Sequence, residues 1–448
     1  MTTRVETPAA APAQYTRTVS LRSRLRVPRN SEPLLRNGHV LNLSALVTAA
    51  LGAIYWILAT SWYSTASVGR SYAALSAASL LAGIGQLNLA DILVRFVPSA
   101  GRHTRRLTLR CYTASAAFST AVAVLFLVLV PVVAPGLDYL RTPVAAVCFV
   151  AATAGYAIFV LQDGALTGLR RTGWVLGENA VFATVKVVLL VGCGILALSA
   201  GILVSWAGAL IVALLVTNVY LFRHAVPAHE RAAATAAAPP RMLRYAAADY
   251  LGALFRLTAY NAAPLLVLDR LGSTDSAYFS LAWVIAYTLF LAAYNMGSSM
   301  IVEAAHAPER LAENARRVLR HSGALLTAAA VLLGVTAPWL LRLFGPGYAE
   351  HGTTLLRLLA VAAVPNLLVG VAVDVARARR KLAWAVGLQA ALCILVLGLS
   401  ALLLPVMGVT GVGVAWLITE CALGLPLLLT LRRWLPVTTR TAAPRRPR

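Results

Sequence analysis

Three ionisable residues, Lys186, Arg256 and Glu420, stand near the middle of long apolar runs. A charge at mid-bilayer costs about 2.5 to 3.5 kcal/mol on insertion scales, so each should face a partner or a wet cavity. Asn179 precedes Lys186 by seven residues and shares its helix face, while Glu178 lies about 80° round the same helix. Asp249 and Arg256 are spaced in the same way, with Tyr260 one turn further on. Asn88, Asp91 and Arg95 follow each other at i, i+3 and i+7 near the end of another apolar run. Two chemistries fit these groups. Lys186 and Arg256 line a central cavity and attract an anion, or they neutralise Glu178, Asp249 or Glu420 in structural pairs. Glu420 either carries a coupling proton or pairs with a cation, and Arg95, nearer the interface, equally fits a snorkelling role.

A stripe of Ser280, Trp283, Tyr287, Tyr294 and Ser298 recurs along one helix face. Such a stripe can stack on a sugar, although packing and interfacial anchoring explain most patterns of this kind. Pro264 and Pro365 interrupt backbone donors inside apolar runs and can kink their helices. The glycines of Gly408 to Gly413 open an apolar helix and lack the lysine of a phosphate loop. No nucleotide motif, metal-ligand cluster or nucleophile constellation is present, so the expectation is no enzyme, no cofactor and no metal. The five cysteines are scattered, with no CxxC spacing, and read as small core residues.

The elements that must position these groups follow from composition. Hydrophobic residues make up 59% of the chain and charged ones 12%, with a mean hydropathy of +0.76, which no soluble interior of this size could absorb. In hydrocarbon the backbone must bond within the segment, so each crossing is a helix of roughly 20 residues. Twelve runs qualify, at roughly 39–59, 72–93, 112–133, 144–161, 175–198, 202–222, 245–268, 277–301, 323–343, 355–373, 382–404 and 411–431. The formal charge of +23 suggests a nucleic-acid partner until the charges are mapped onto these spans. On this count 32 of the 39 basic residues fall on the side shared by the termini and five on the other, the signature of cytoplasmic retention and not of nucleic-acid binding.

The expected architecture is therefore an all-α, multi-pass plasma-membrane protein of about twelve spans with both termini inside. Residues 1–37 read as a disordered basic cytoplasmic tail with no apolar signal region, ahead of the alternative of an organellar transit peptide; 38–222 form a first six-helix bundle and 223–244 a cytoplasmic, Ala-rich linker containing Pro239-Pro240. Residues 245–432 form a second bundle and 433–448 a second tail. Six is even, so the halves would be parallel repeats, as in many secondary transporters. External loops are short, which leaves no room for the catalytic domain of a membrane polymerase or transferase.

Several short motifs narrow the class. They are Asp163-Gly164-Ala165-Leu166-Thr167-Gly168-Leu169-Arg170-Arg171 with Trp174 and Asn179, then Leu343-Phe344-Gly345-Pro346-Gly347-Tyr348, and then Gly408 to Trp416. With them the chain resembles the Wzx-type polysaccharide flippases, in the superfamily that also holds multidrug MATE exporters and MurJ lipid flippases. The resemblance implies a V-shaped pair of bundles alternating between inward-open and outward-open states. It implies as cargo an undecaprenyl-pyrophosphate-linked oligosaccharide, carried to the outer leaflet for bacterial surface polysaccharide synthesis. A cationic central cavity, to which Arg256 and Lys186 are matched, would hold the pyrophosphate while the prenyl tail stays in membrane lipid. Other polysaccharide-assembly membrane proteins are the implied partners. A MATE-like drug exporter, an integral-membrane glycan polymerase and a scaffold of an envelope-synthesis complex remain as rivals; Asp249, Glu178 and Glu420 keep the exporter open.

Overall fold

The computed structural model describes residues 50–232, 243–306 and 311–435, and their side chains except those of 243–249 and 295–306. All of them lie in one unit, Val47–Arg448. Among the described residues there is no strand. The first half contains α1 (described over Ala50–Trp62), α2 (Thr65–Gly85), α3 (Leu89–Ala100), α4 (Thr104–Val133), α5 (Pro143–Gly168), α6 (Thr172–Ile195), α7 (Gly201–Tyr220) and the short α8 (Val226–Ala232). The second contains α9 (Leu243–Leu271), α10 (Ser273–His306), α11 (Leu311–Arg342), α12 (Pro346–Ala378), α13 (Leu382–Met407), α14 (Thr410–Leu429) and the single turn α15 (Leu431–Trp434).

Ten described helical segments are long and apolar enough to cross a membrane. Large apolar side chains point outward along them: Val132, Val406 and Leu429 are each more than 80% exposed, as expected where the surrounding solvent is hydrocarbon. Two expected spans stand apart from the ten. The first is described only from Ala50, so its expected start lies outside the described residues. The second, α2, is rich in Ala, Ser and Gly and too polar to qualify alone, but about half of it is buried by α4, α5, α9 and α10. Small residues let backbones approach closely, and α2 uses them to touch both halves.

Residues 72–93 do not form one helix. Leu87 and Asn88 adopt left-handed backbone conformations (φ 53° and 56°) and split the run into α2 and α3, with Asn88 at the α3 N-cap. Asp91 then lies in the first turn of α3, where a carboxylate suits the helix dipole, and Arg95 is exposed on the same short helix. Tyr250 of α9 donates its hydroxyl to the Ile84 carbonyl near the α2 terminus, satisfying an acceptor at the break. The basic stretch from Arg95 to Arg110 is not a loop either, because α3, one turn at Gly101–His103 and α4 carry it.

A local motif occurs twice. Arg170 and Arg380, 210 residues apart, both have φ 59° just beyond α5 and α12. In the same register Arg171 N donates to Leu166 O and Lys381 N to Ala376 O, each at 2.8 Å, the bond that closes a helix end on a left-handed residue. Trp174 and Trp384 follow in the first turns of α6 and α13, and buried Trp206 and Trp416 repeat the spacing in α7 and α14.

At Gly69 of α2 an added Cβ would collide with the Ser273 carbonyl oxygen and stand 2.8 Å from Ala277 N of α10. Gly69→Ala is therefore expected to destabilise the protein by about 1 to 3 kcal/mol, as overpacking does. Thermal unfolding in detergent should show the loss, while Gly334→Ala, with nothing within 4 Å of the new carbon, should leave the melting temperature unchanged or slightly raised.

Candidate functional site

Arg256 lies on α9 and faces inward because the helix spacing 256, 260 puts it one turn from Tyr260, which is held in the core. Together with α10, α12 and α13, α9 encloses a cavity of about 140 Å³. Its polar lining comes from Arg256, Tyr260, Asn261, Tyr287, Tyr294, Asn366, Asp374, Arg377 and Gln389. The Arg256 guanidinium carbon sits 4.4 Å from the Tyr294 ring centre, a cation–π contact. Its Nε is shielded from solvent, with neither a hydrogen-bond acceptor nor a carboxylate in ion-pair range among the described residues.

Below the cavity the wall is aromatic. Tyr260 packs edge-on against Tyr287, Phe290 and Trp416, with ring centres 5.0 to 5.8 Å apart, and tilted against Trp283 at 5.8 Å. Trp283 is buried within this cluster and supports Tyr287; it does not line the cavity. The Asn366 amide connects the cavity to the core, donating to Glu420 Oε1 at 2.7 Å and approaching the Tyr260 hydroxyl at 3.3 Å. Glu420 is wholly buried, and its Oε2 has no hydrogen-bond partner among the described residues.

The sequence-predicted residues do not converge on one chamber. Lys186 is absent from the Arg256 cavity; its ammonium lies 4.5 Å from the ring centre of Tyr55 in α1 and 5.3 Å from that of Phe182, one turn back on its own helix. Tyr55 is fixed there by its hydroxyl, which donates to Ile202 O at 2.9 Å. Lys186 and Arg256 therefore do not share a cavity in this structure: the lysine ammonium lies against aromatic faces, and among the described residues only second-half helices line the arginine's cavity. Asn179 donates to Val175 O of its own helix. Glu178 is 2% exposed, neither of its oxygens is bonded among the described residues, and it is no ion-pair partner of Lys186. The side chains of Asp249 and Ser298 lie outside the described ones.

Asn366, Asp374 and Gln389 were not singled out in the sequence. A signal existed for Asn366, an amide directly after Pro365 inside an otherwise apolar run. Its significance depends on α14 bringing Glu420 alongside, which spacing within one helix cannot reveal.

No protein-family model and no curated protein sequence matches the chain. Solved structures do. An inward-facing multidrug resistance MATE family transporter of the MOP superfamily superposes with a TM-score of 0.62 at 15% identity, covering 88% of this chain and 96% of the other. The chain has the MATE fold. An outward-facing MATE transporter gives 0.64 at 14% identity, with coverages of 88% and 94%. A MOP superfamily transporter from Pyrococcus furiosus, described as having a binding pocket of reversed polarity that suggests a different function, gives 0.62 at 14%, with coverages of 88% and 93%. Within the MATE fold, the Arg256 cavity belongs entirely to the second half of the chain.

Replacing Asn366 by Leu removes the donor to a buried carboxyl, a loss that costs about 1 to 3 kcal/mol. Removing both partners is milder. The pair Asn366→Leu/Glu420→Leu should melt above Asn366→Leu alone in a detergent thermal-unfolding series.

Proposed function

We propose that this protein is a membrane transporter that moves an undecaprenyl-pyrophosphate-linked oligosaccharide from the cytoplasmic to the outer leaflet by alternating access. The observation that carries this reading is the Arg256 guanidinium, half-buried on a cavity wall with tyrosines around it and no described carboxylate in ion-pair range. Among the described residues the cavity's charged lining is Arg256, Arg377 and Asp374, two cations to one anion. That balance attracts a phosphate group and disfavours a cation. Tyr287 and Tyr294 add ring faces and hydroxyls suited to a sugar.

At about 140 Å³ the cavity is smaller than the roughly 300 to 1,000 Å³ of ordinary ligand pockets, so loading requires its helices to part. Pro264 in α9 and Pro365 in α12 lie within helices that line it, and each removes one backbone bond that would resist bending. In this reading residues 38–222 and 245–432 are the two moving bundles, both termini are cytoplasmic, and the prenyl chain stays in lipid. Inward- and outward-facing relatives of the same fold support a rocking cycle of this kind.

A second reading, export of cationic drugs, is favoured by one observation: the wholly buried Glu420, linked through Asn366 to the cavity wall. Transport by the purified protein in proteoliposomes separates the two. Under the flippase reading a fluorescent pyrophosphate-linked oligosaccharide lipid reaches the opposite leaflet, Arg256→Gln slows it at least tenfold, and Arg256→Lys retains more of the rate. Ethidium efflux without glycolipid movement overturns this reading in favour of drug export.

A further inference from the structure

Away from the Arg256 cavity, the corner between α3 and α4 forms an open groove of about 640 Å³. Arg102, His103, Arg105, Arg106 and Arg110 line it, and Glu230 is its one acidic residue. The positive-inside tendency accounts for basic residues on a membrane face, but not for five of them converging on one concavity. Nor is the groove internally neutralised. Glu230 Oε1 accepts the backbone N–H of Arg105 at 2.8 Å, in the first turn of α4, and none of the four guanidinium groups has an ion pair among the described residues. All four arginines are exposed.

The groove continues into the lipid-facing surface. From Arg106 and Arg110 the same face of α4 passes in steps of three and four residues through Thr113, Ala117 and Thr120 to Val124 and Val128, all exposed. A ligand resting there would meet cations at one end and an apolar wall along its length.

We propose that this groove binds the phosphate headgroup of an anionic membrane lipid, with the acyl chain lying along the Val124–Val128 face of α4. Charge complementarity selects the headgroup, and the adjoining apolar stripe selects a lipid over a soluble anion. The Glu230 carboxylate keeps α8 docked on the α4 terminus and leaves the guanidinium groups for the phosphate. This site is independent of the transport reading, since none of its residues lines the Arg256 cavity.

Native mass spectrometry of the purified full-length protein, titrated with phosphatidylglycerol or phosphatidylcholine, tests it. Wild type should retain phosphatidylglycerol preferentially. Arg106→Gln/Arg110→Gln should bind it about 30-fold more weakly, at roughly fivefold per cation. Arg432→Gln/Arg433→Gln removes the same charge from exposed positions on α15 and should bind like wild type, as should its melting temperature in phosphatidylcholine. The Arg106/Arg110 variant should keep that melting temperature too; if it does not, the single variant Arg106→Gln takes its place, with an expected fivefold loss. Equal retention of both lipids by wild type overturns the proposal. So does an equal loss in the α15 control, which would reveal only diffuse charge. Full displacement of phosphatidylglycerol by inorganic phosphate at millimolar concentration would reassign the groove to a soluble anion and overturn the lipid assignment.

Discussion

Hydrocarbon offers no hydrogen bonds, and nearly every feature of this protein follows from that constraint. The backbone closes on itself as helices, so chemistry can only reside in side chains on helix faces or in the few places where a helix stops. Folding cannot draw on exclusion of apolar surface from water between helices already in lipid, so close packing must hold them together. α2 shows how. Its small residues bring backbone against backbone at Gly69, and in doing so it touches helices of both halves. A helix too polar to qualify as a span by itself thus bridges them.

The same constraint concentrates the polar groups. Arg256 is settled by a tyrosine ring and Lys186 by two aromatic rings, in each case a cation held without a described counter-charge. A cation on an aromatic face keeps much of its field, whereas one in a tight ion pair spends it locally. Arg256 combines this with a cavity that Lys186 does not line. Glu420 has the opposite arrangement, a buried carboxyl reached by one amide, with Asn366 linking it to the cavity wall.

Much of the fold was legible because apolar length alone dictates helices. The break at residues 86–88 was not, since Gln86, Leu87 and Asn88 include neither Gly nor Pro and the left-handed turn falls partly on a leucine. The helical nature of residues 95–110 was hidden by charge, although arginine is a good helix former. At the site, Arg256 and Tyr287 could be read from unusual residue types within apolar runs. Convergence could not: that Tyr55 meets Lys186, and which helix brings an amide to Glu420, are decided by packing between segments more than 50 residues apart.

The paired turns after α5 and α12 carry a consequence for how the two halves can differ. Each turn is set by backbone bonds and a left-handed arginine, so its shape does not depend on the side chains that point into the interior. In the register of that motif Asn179 corresponds to Gln389, yet the first amide is bonded to its own helix and the second borders a cavity. A frame used twice with its joints preserved lets the interior lining of the two copies diverge without disturbing the turns that hold each in place.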